Sequence, residues 1–200
     1  QLGRFAEARA TLDRARVLAA PDDRLARALV SASLLLVHLR EGDLAAAGGE
    51  DAVLRELMEG VTAIPQPCAQ LLEAPAELII ARWHQALHHG DPVDDLPAQA
   101  EARWKTLWRW ARLYPICLPF AWWFRGHQFF LRGRQTDAWA AWEKGRIIAV
   151  DLGMPVYEGT LSLALAKHGP RKQQRSHRFR AKALFISSHS LWHARQIDDL

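Results

Sequence analysis

The chain reads as all-α: antiparallel helix hairpins stacked as a degenerate solenoid. Three observations predict this. Ala, Leu and Arg dominate the 200 residues, all good helix formers, and runs of alternating Val, Ile and Thr are missing. Turn glycines recur at Gly3, Gly42, Gly90, Gly133 and Gly169, at intervals of 39, 48, 43 and 36 residues. Residues Trp122 to Gly145 read W-x3-G-x2-F-x3-G-x4-A-x3-W-x2-G. Such a segment predicts two amphipathic helices, 122–132 and 135–148, meeting at Gly133. Gly126, Ala138 and Gly145 would let the pair approach closely, and Trp122, Phe129 and Trp142 would fill the space between them. A unit built this way packs on neighbours like itself.

The elements follow in order from punctuation by Gly and Pro. A first helix runs to about Ala20 and stops at Pro21. Asp22 or Asp23 caps a second, about 23–40, with Leu25, Leu29, Leu36 and Leu39 among its apolar positions. Gly42-Asp43 makes the turn into a third, 43–60, weakened by Gly48-Gly49. Residues 61–75, with Pro65, Pro67 and Pro75, read as a connection. A fourth helix covers about 75–89 and ends at Gly90-Asp91-Pro92. Pro97 opens a fifth, about 97–113, which Pro115 closes, and Pro119 sits in the first turn of the sixth. Gly153-Met154-Pro155 separates the seventh from an eighth, about 156–168. Gly169-Pro170 breaks the chain again before helices at about 174–187 and 189–199. Ala follows five residues after Gly3, Gly42 and Gly133, at Ala8, Ala47 and Ala138, but Gly90 and Gly169 have Asp95 and Gln174 there. The array is therefore degenerate in its middle and at its end.

Composition narrows the possibilities further. Half the residues are hydrophobic, which argues against disorder. No apolar run reaches the roughly 18 residues of a membrane span, so no membrane partner is expected. Leu29–Leu39 reads as a buried helix, and Leu113–Phe124 as a helix end, a loop and a new start. Cys68 and Cys117 stand alone, without CxxC spacing, and suit a reducing cytoplasm as small apolar residues. Residues 1–100 hold 9 Arg and no Lys against 15 Asp and Glu, a balance of −6. Residues 101–200 hold 17 Lys and Arg against 7 Asp and Glu, a balance of +10. Such asymmetry bears on partners.

Three segments together carry a resemblance. Leu2, Gly3, Phe5, Glu7, Ala8, Leu12, Ala15, Leu18 and Pro21 look like the second half of a tetratricopeptide repeat, starting inside it. Trp122–Pro155 adds a full repeat near 119–151 and the run Asp151-Leu-Gly-Met-Pro155. Arg178–Arg195 contributes Phe179-Arg-Ala-Lys-Ala-Leu-Phe185, then Leu191-Trp-His-Ala-Arg195. They resemble the tetratricopeptide-like C-terminal regions of large bacterial signalling proteins. These include adenylate or guanylate cyclases, Ser/Thr kinases and LuxR-type regulators that share a nucleotide-binding ATPase module. The resemblance implies one helical-repeat domain over 1–200, located in the cytoplasm, that scaffolds or regulates and is served by an ATPase module upstream. No P-loop, cyclase or kinase signature lies within the chain, so no catalysis and no cofactor are expected of it.

His84 and His88 share a helix face at metal-ligand spacing, but H-E-x-x-H is incomplete, and histidines at a helix C-terminus suit its dipole. No metal is expected there, nor at His189 and His193. Ser187, Ser188 and Ser190 near His189 make no recognisable triad. Seven of the nine tryptophans fall within residues 104–142, interleaved with arginines. Core packing is the first reading of the tryptophans. A surface for a protein or peptide, with acidic character, is expected at Trp104, Trp108, Arg109, Arg112 and Arg125. A closed aromatic pocket for a small effector is the alternative. The stretch Arg171, Lys172, Arg175, His177, Arg178, Arg180, Lys182 reads as a solvated helix face opposing its own macrodipole, with no nucleic-acid module beside it.

Overall fold

The computed structural model describes residues 4–61 and 69–198. Among them lie ten α-helices and no strand. The Leu2-Gly3 turn, Cys68, Pro65, Pro67 and residue 199 of the last expected helix lie outside the described residues. Two compact units are present, residues 4–100 and residues 101–198.

The first unit holds α1 (Phe5–Leu18), α2 (Arg24–Glu41), α3 (Leu44–Met58), α4 (Gln70–His89) and the start of α5 (Leu96–Leu113). Phe5, Ala8, Leu12 and Ala15, spaced three and four apart, are the half-buried stripe of α1, which packs on α2. Ion pairs Arg9–Glu41 (2.9 Å) and Arg16–Glu50 (2.6 Å) flank it. Asp23 and Asp43 each accept a bond, both 2.9 Å long, from the backbone N–H three residues on, capping α2 and α3. Ala28, Ala32 and Leu35 of α2 meet Ala47, Leu54 and Leu57 of α3 and Leu71, Ala74 and Leu78 of α4 in one core. Helix α2 packs on both α3 and α4.

Helix α4 corrects the expected start at Pro75. The helix begins at Gln70 and carries Pro75 inside it, buried. Proline removes one backbone hydrogen bond and crowds the preceding turn, a change worth about 3 kcal/mol in an isolated helix. Burial of Leu71, Leu72, Ala74, Ala76, Leu78, Ile79 and Ile80 overrides that local preference. Gly48 has a packing role as well: a Cβ there would lie on the guanidinium of Arg82 from α4.

The second unit holds the rest of α5, a single 3-10 turn (Pro115–Cys117), α6 (Leu118–Leu131), α7 (Gln135–Asp151), α8 (Pro155–His168), α9 (Arg171–Ser187) and α10 (Leu191–Asp198). From α6 onward each helix packs on the next, and α6 also touches α8. Neighbour-to-neighbour packing of this kind, with alternate helices also meeting, fits a helical-repeat fold. Two apolar clusters fill it. One gathers Ala138, Trp142 and Ala149 of α7 with Leu161, Ala164 and Leu165 of α8. The other joins Leu163, Ala181, Phe185, Ala194 and Ile197.

The α6–α7 hairpin shows how the small and large residues match. A Cβ on Gly126 would fall on the indole of Trp142, and one on Gly145 would lie 2.8 Å from Trp122 Cβ and 3.0 Å from Leu161 Cδ2. Trp142, fully buried, donates its indole N–H to the Trp123 carbonyl at 3.1 Å. The turn itself depends on Gly133, whose φ of 75° lies in the left-handed region. That conformation lets Arg134 N–H donate to the Phe129 carbonyl at 2.9 Å. The same bond, from the residue after the turn to the fifth residue before it, follows Gly42, Gly90 and Gly153.

Helix α8 ends at His168 as expected, but the turn after it differs in conformation and the next helix starts early. Gly169 has φ −77° and extended ψ, so it ends α8 by straightening rather than by a left-handed cap. Helix α9 starts three residues earlier than expected, at Arg171, immediately after Pro170. Its own turn into α10 uses His189 at φ 55°, and Ser190 N–H donates to Phe185 O at 2.8 Å. A histidine thus occupies the position that glycine fills in the other turns. The neighbouring hydroxyls of Ser187 and Ser188 donate to the Leu184 carbonyl, at 3.0 and 2.7 Å, and close the end of α9.

Candidate binding surface

Helices α5, α6 and α7 bring a cluster of rings and cations together. Trp104 and Trp108, one turn apart on α5, stack with centroids 5.1 Å apart. Trp122 of α6 meets both, at 5.8 Å from Trp104 and edge-on at 5.4 Å from Trp108. All three indoles are half-buried. Lys144 of α7 sets its ammonium 4.3 Å from the Trp122 ring centroid. The mutual quadrupole attraction of tilted rings and the cation–ring contact hold this cluster without closing it off from water.

Arg125 stands inside the cluster. Its guanidinium lies 5.1 Å from the Trp104 centroid and 4.6 Å from that of Phe129. One of its terminal nitrogens donates to Glu101 at 2.6 Å and to Gln128 at 2.7 Å. Gln128 is fully buried, and only 19 % of the Arg125 side chain is exposed. Arg125 therefore braces α5 against α6. Arg134 covers Phe129 at 4.6 Å from the turn side.

Arg109 and Arg112 are placed differently. Both are exposed, and neither makes an ion pair among the described residues. Lys105, Trp108, Arg109 and Arg112 succeed one another at spacings of three, one and three residues, so Trp108 and these cations share one side of α5. Of the five residues expected at the surface, Trp104, Trp108 and Arg125 are thus brought into one cluster. Arg109 and Arg112 lie along its outer border. Lys105, Trp122 and Lys144 complete the arrangement. The spacing of Lys105 from Trp108 was visible in the sequence, but the meeting of Trp122 and Lys144 with α5 needs the fold.

Among the described residues no three His, Cys, Asp or Glu side chains stand close enough to hold an ion. His88 and His89 are exposed, with ring centroids 5.5 Å apart. His193 stacks on Phe185 at 4.9 Å, in the core of α9 and α10. Cys117 is buried. No helix among the described residues is long and apolar enough to cross a membrane.

A second polar arrangement links α7, α8 and α9. Arg146 donates to Glu143 at 2.8 Å, and that bond holds the Glu143 carboxyl below its ordinary range against the opposing effect of burial. His177, facing this pair, has its imidazole pushed below its ordinary value by burial. The negative charge of Glu143 partly offsets this, and the positive charge of Arg146 adds to it. Glu158, 5 % exposed, accepts from Arg180 at 2.7 Å.

Compared with protein-family models, with curated proteins and with solved structures, the chain matches none.

Proposed function

We propose that this chain is a non-catalytic interaction scaffold that takes an acidic segment of a protein or peptide along α5. The observation that carries the reading is the border of Lys105, Arg109 and Arg112 beside three half-exposed indoles. Rigid aromatic rings supply contact area at little entropic cost, and unpaired guanidinium groups match carboxylates in two-point geometry. In this reading Arg125 positions Trp104, and Trp142 only packs. The scaffold serves a multidomain bacterial signalling protein and relays partner capture to an ATPase module of the same chain. That part rests on the resemblance of Leu2–Pro21, Trp122–Pro155 and Arg178–Arg195.

The test is selection from a displayed library of random peptides. Enrichment of sequences rich in Asp and Glu supports the proposal, provided that Arg109→Ala with Arg112→Ala weakens the selected peptides tenfold or more at unchanged helicity. Neutral or basic winners, or unchanged affinity in the double variant, overturn it. A small-molecule effector site is the second reading, favoured by the Trp104–Trp108–Trp122 group alone. A rise in melting temperature with a compound from a metabolite panel, lost in Trp108→Ala, would favour it.

A further inference from the structure

We propose that the outward face of α9 adsorbs to an anionic phospholipid surface. Helix α9 contains no Asp or Glu across Arg171–Ser187. Its buried side is Ala181 and Phe185, with Gln174, His177 and Arg178 half-buried beside them. On the opposite side, Phe179 is 63 % and Ile186 51 % exposed, with exposed Ala183 between them. At 100° per residue these three fall within one 60° sector. Arg171, Arg175 and Lys182 border that sector on one edge, Arg180 borders it on the other, and Lys172 continues it toward the N-terminus.

The cations divide by use. Arg178 donates to the Ile197 carbonyl at 2.9 Å, Arg180 pairs with Glu158, and Lys182 pairs with Asp198. Arg171, Lys172 and Arg175 are exposed and make no ion pair among the described residues. Arg175 stands 5.6 Å over the Phe179 ring. An apolar stripe bordered by free cations on a convex helix matches a flat anionic interface, where the stripe enters the headgroup region and the cations meet lipid phosphates and carboxylates. A peptide partner would need a groove, and a nucleic acid would use the cations but leave Ala183 and Ile186 unburied. Residues 101–200 carry +10 overall, and net positive charge favours approach to an anionic surface. Interfacial contact of this kind requires no spanning helix.

The full chain is sedimented with vesicles of phosphatidylcholine alone and of phosphatidylcholine mixed with phosphatidylserine. The expected result is partition to the mixed vesicles only, weakened by salt. Arg171→Gln, Lys172→Gln and Arg175→Gln together lower partition on the order of 100-fold. Phe179→Ser with Ile186→Ser lowers it about tenfold or more, with melting unchanged because all five positions are exposed. If a combined variant melts early, Lys172→Gln and Ile186→Ser are read singly against the same expectation. Failure to partition, or partition indifferent to both sets, overturns the proposal. So does displacement by soluble glycerophosphoserine, which would mean headgroup recognition without a bilayer. Loss on the charge variant alone, with equal capture of single-stranded DNA, would make this a general polyanion patch and also overturn it.

Discussion

At the scale of single residues, close approach sets the most demanding positions. Gly126 and Gly145 exist for their neighbours, since each leaves room that an indole or its Cβ occupies. Gly126→Ala should destabilise by about 2 kcal/mol, because the added methyl meets the fully buried Trp142, whose N–H is already committed. Chemical denaturation measures it, and an unchanged midpoint would show that the indole shifts freely. His189 offers the opposite sign. Its φ of 55° costs a side-chain residue about 1 kcal/mol relative to glycine, so His189→Gly should raise stability by about that amount in the same assay. The glycine spacing of the α6–α7 hairpin was legible because small–large matching is written directly into Trp122–Gly145. The left-handed His189 was not, because nothing in its residue type announces that conformation. Its companion His193, at apparent metal spacing, is a ring in the core stacked on Phe185.

At the scale of elements, helix ends were legible at Gly42, Gly90, Gly133 and Pro119, where Gly or Pro marks the turn, but not after Pro170, where α9 starts at once. They were illegible where burial won over local preference. Pro75 reads as the start of a helix, yet α4 already begins at Gln70 and runs through the proline because residues on both sides of it are buried. Arg125 shows the same limit for sites. Its partner Glu101 is 24 positions away on α5, so its bracing role depends on how α5 meets α6. The α9 cations were expected to be solvated; Arg178, Arg180 and Lys182 are instead bonded, which anchors the helix to α8 and α10. The Glu143, Arg146 and His177 arrangement also carries a pH dependence. His177 is held below its ordinary 6.5, so the unfolded chain takes up a proton first, and stability falls as pH drops below about 6.5. Glu143 is held below its ordinary 4.5, so its contribution is complete above that value and is lost as pH falls through its lower folded value. Melting temperature against pH should therefore decline in two steps on acidification. His177→Gln should remove the upper step, and a flat profile between pH 7 and 5 would contradict this reading of α7–α9.

At the scale of the molecule, the division between the units falls at residues 100 and 101, where the charge balance changes sign. The basic unit holds both the α5 border and α9, and the charge contrast seen in the sequence has its structural counterpart there. Fold class was readable from composition and turn spacing because neighbouring helices pack locally. Function was less so, because rings and cations alone do not say which of them are consumed by packing. Separating Arg125 from Arg109 and Arg112 is the account's central claim. The direct test is calorimetric titration of the best acidic peptide into three proteins: the parent chain, Arg125→Ala, and Arg109→Ala with Arg112→Ala. Each is also unfolded by denaturant. The account predicts that Arg125→Ala loses about 1–2 kcal/mol of stability, mainly through lost packing on Trp104 and Phe129 and the lost bond to buried Gln128, since Glu101 keeps Arg132 at 3.8 Å. It predicts that the double variant stays within about 0.5 kcal/mol of the parent while its affinity falls tenfold or more. Full peptide affinity in the double variant, or a stable Arg125→Ala protein that alone loses binding, would contradict it.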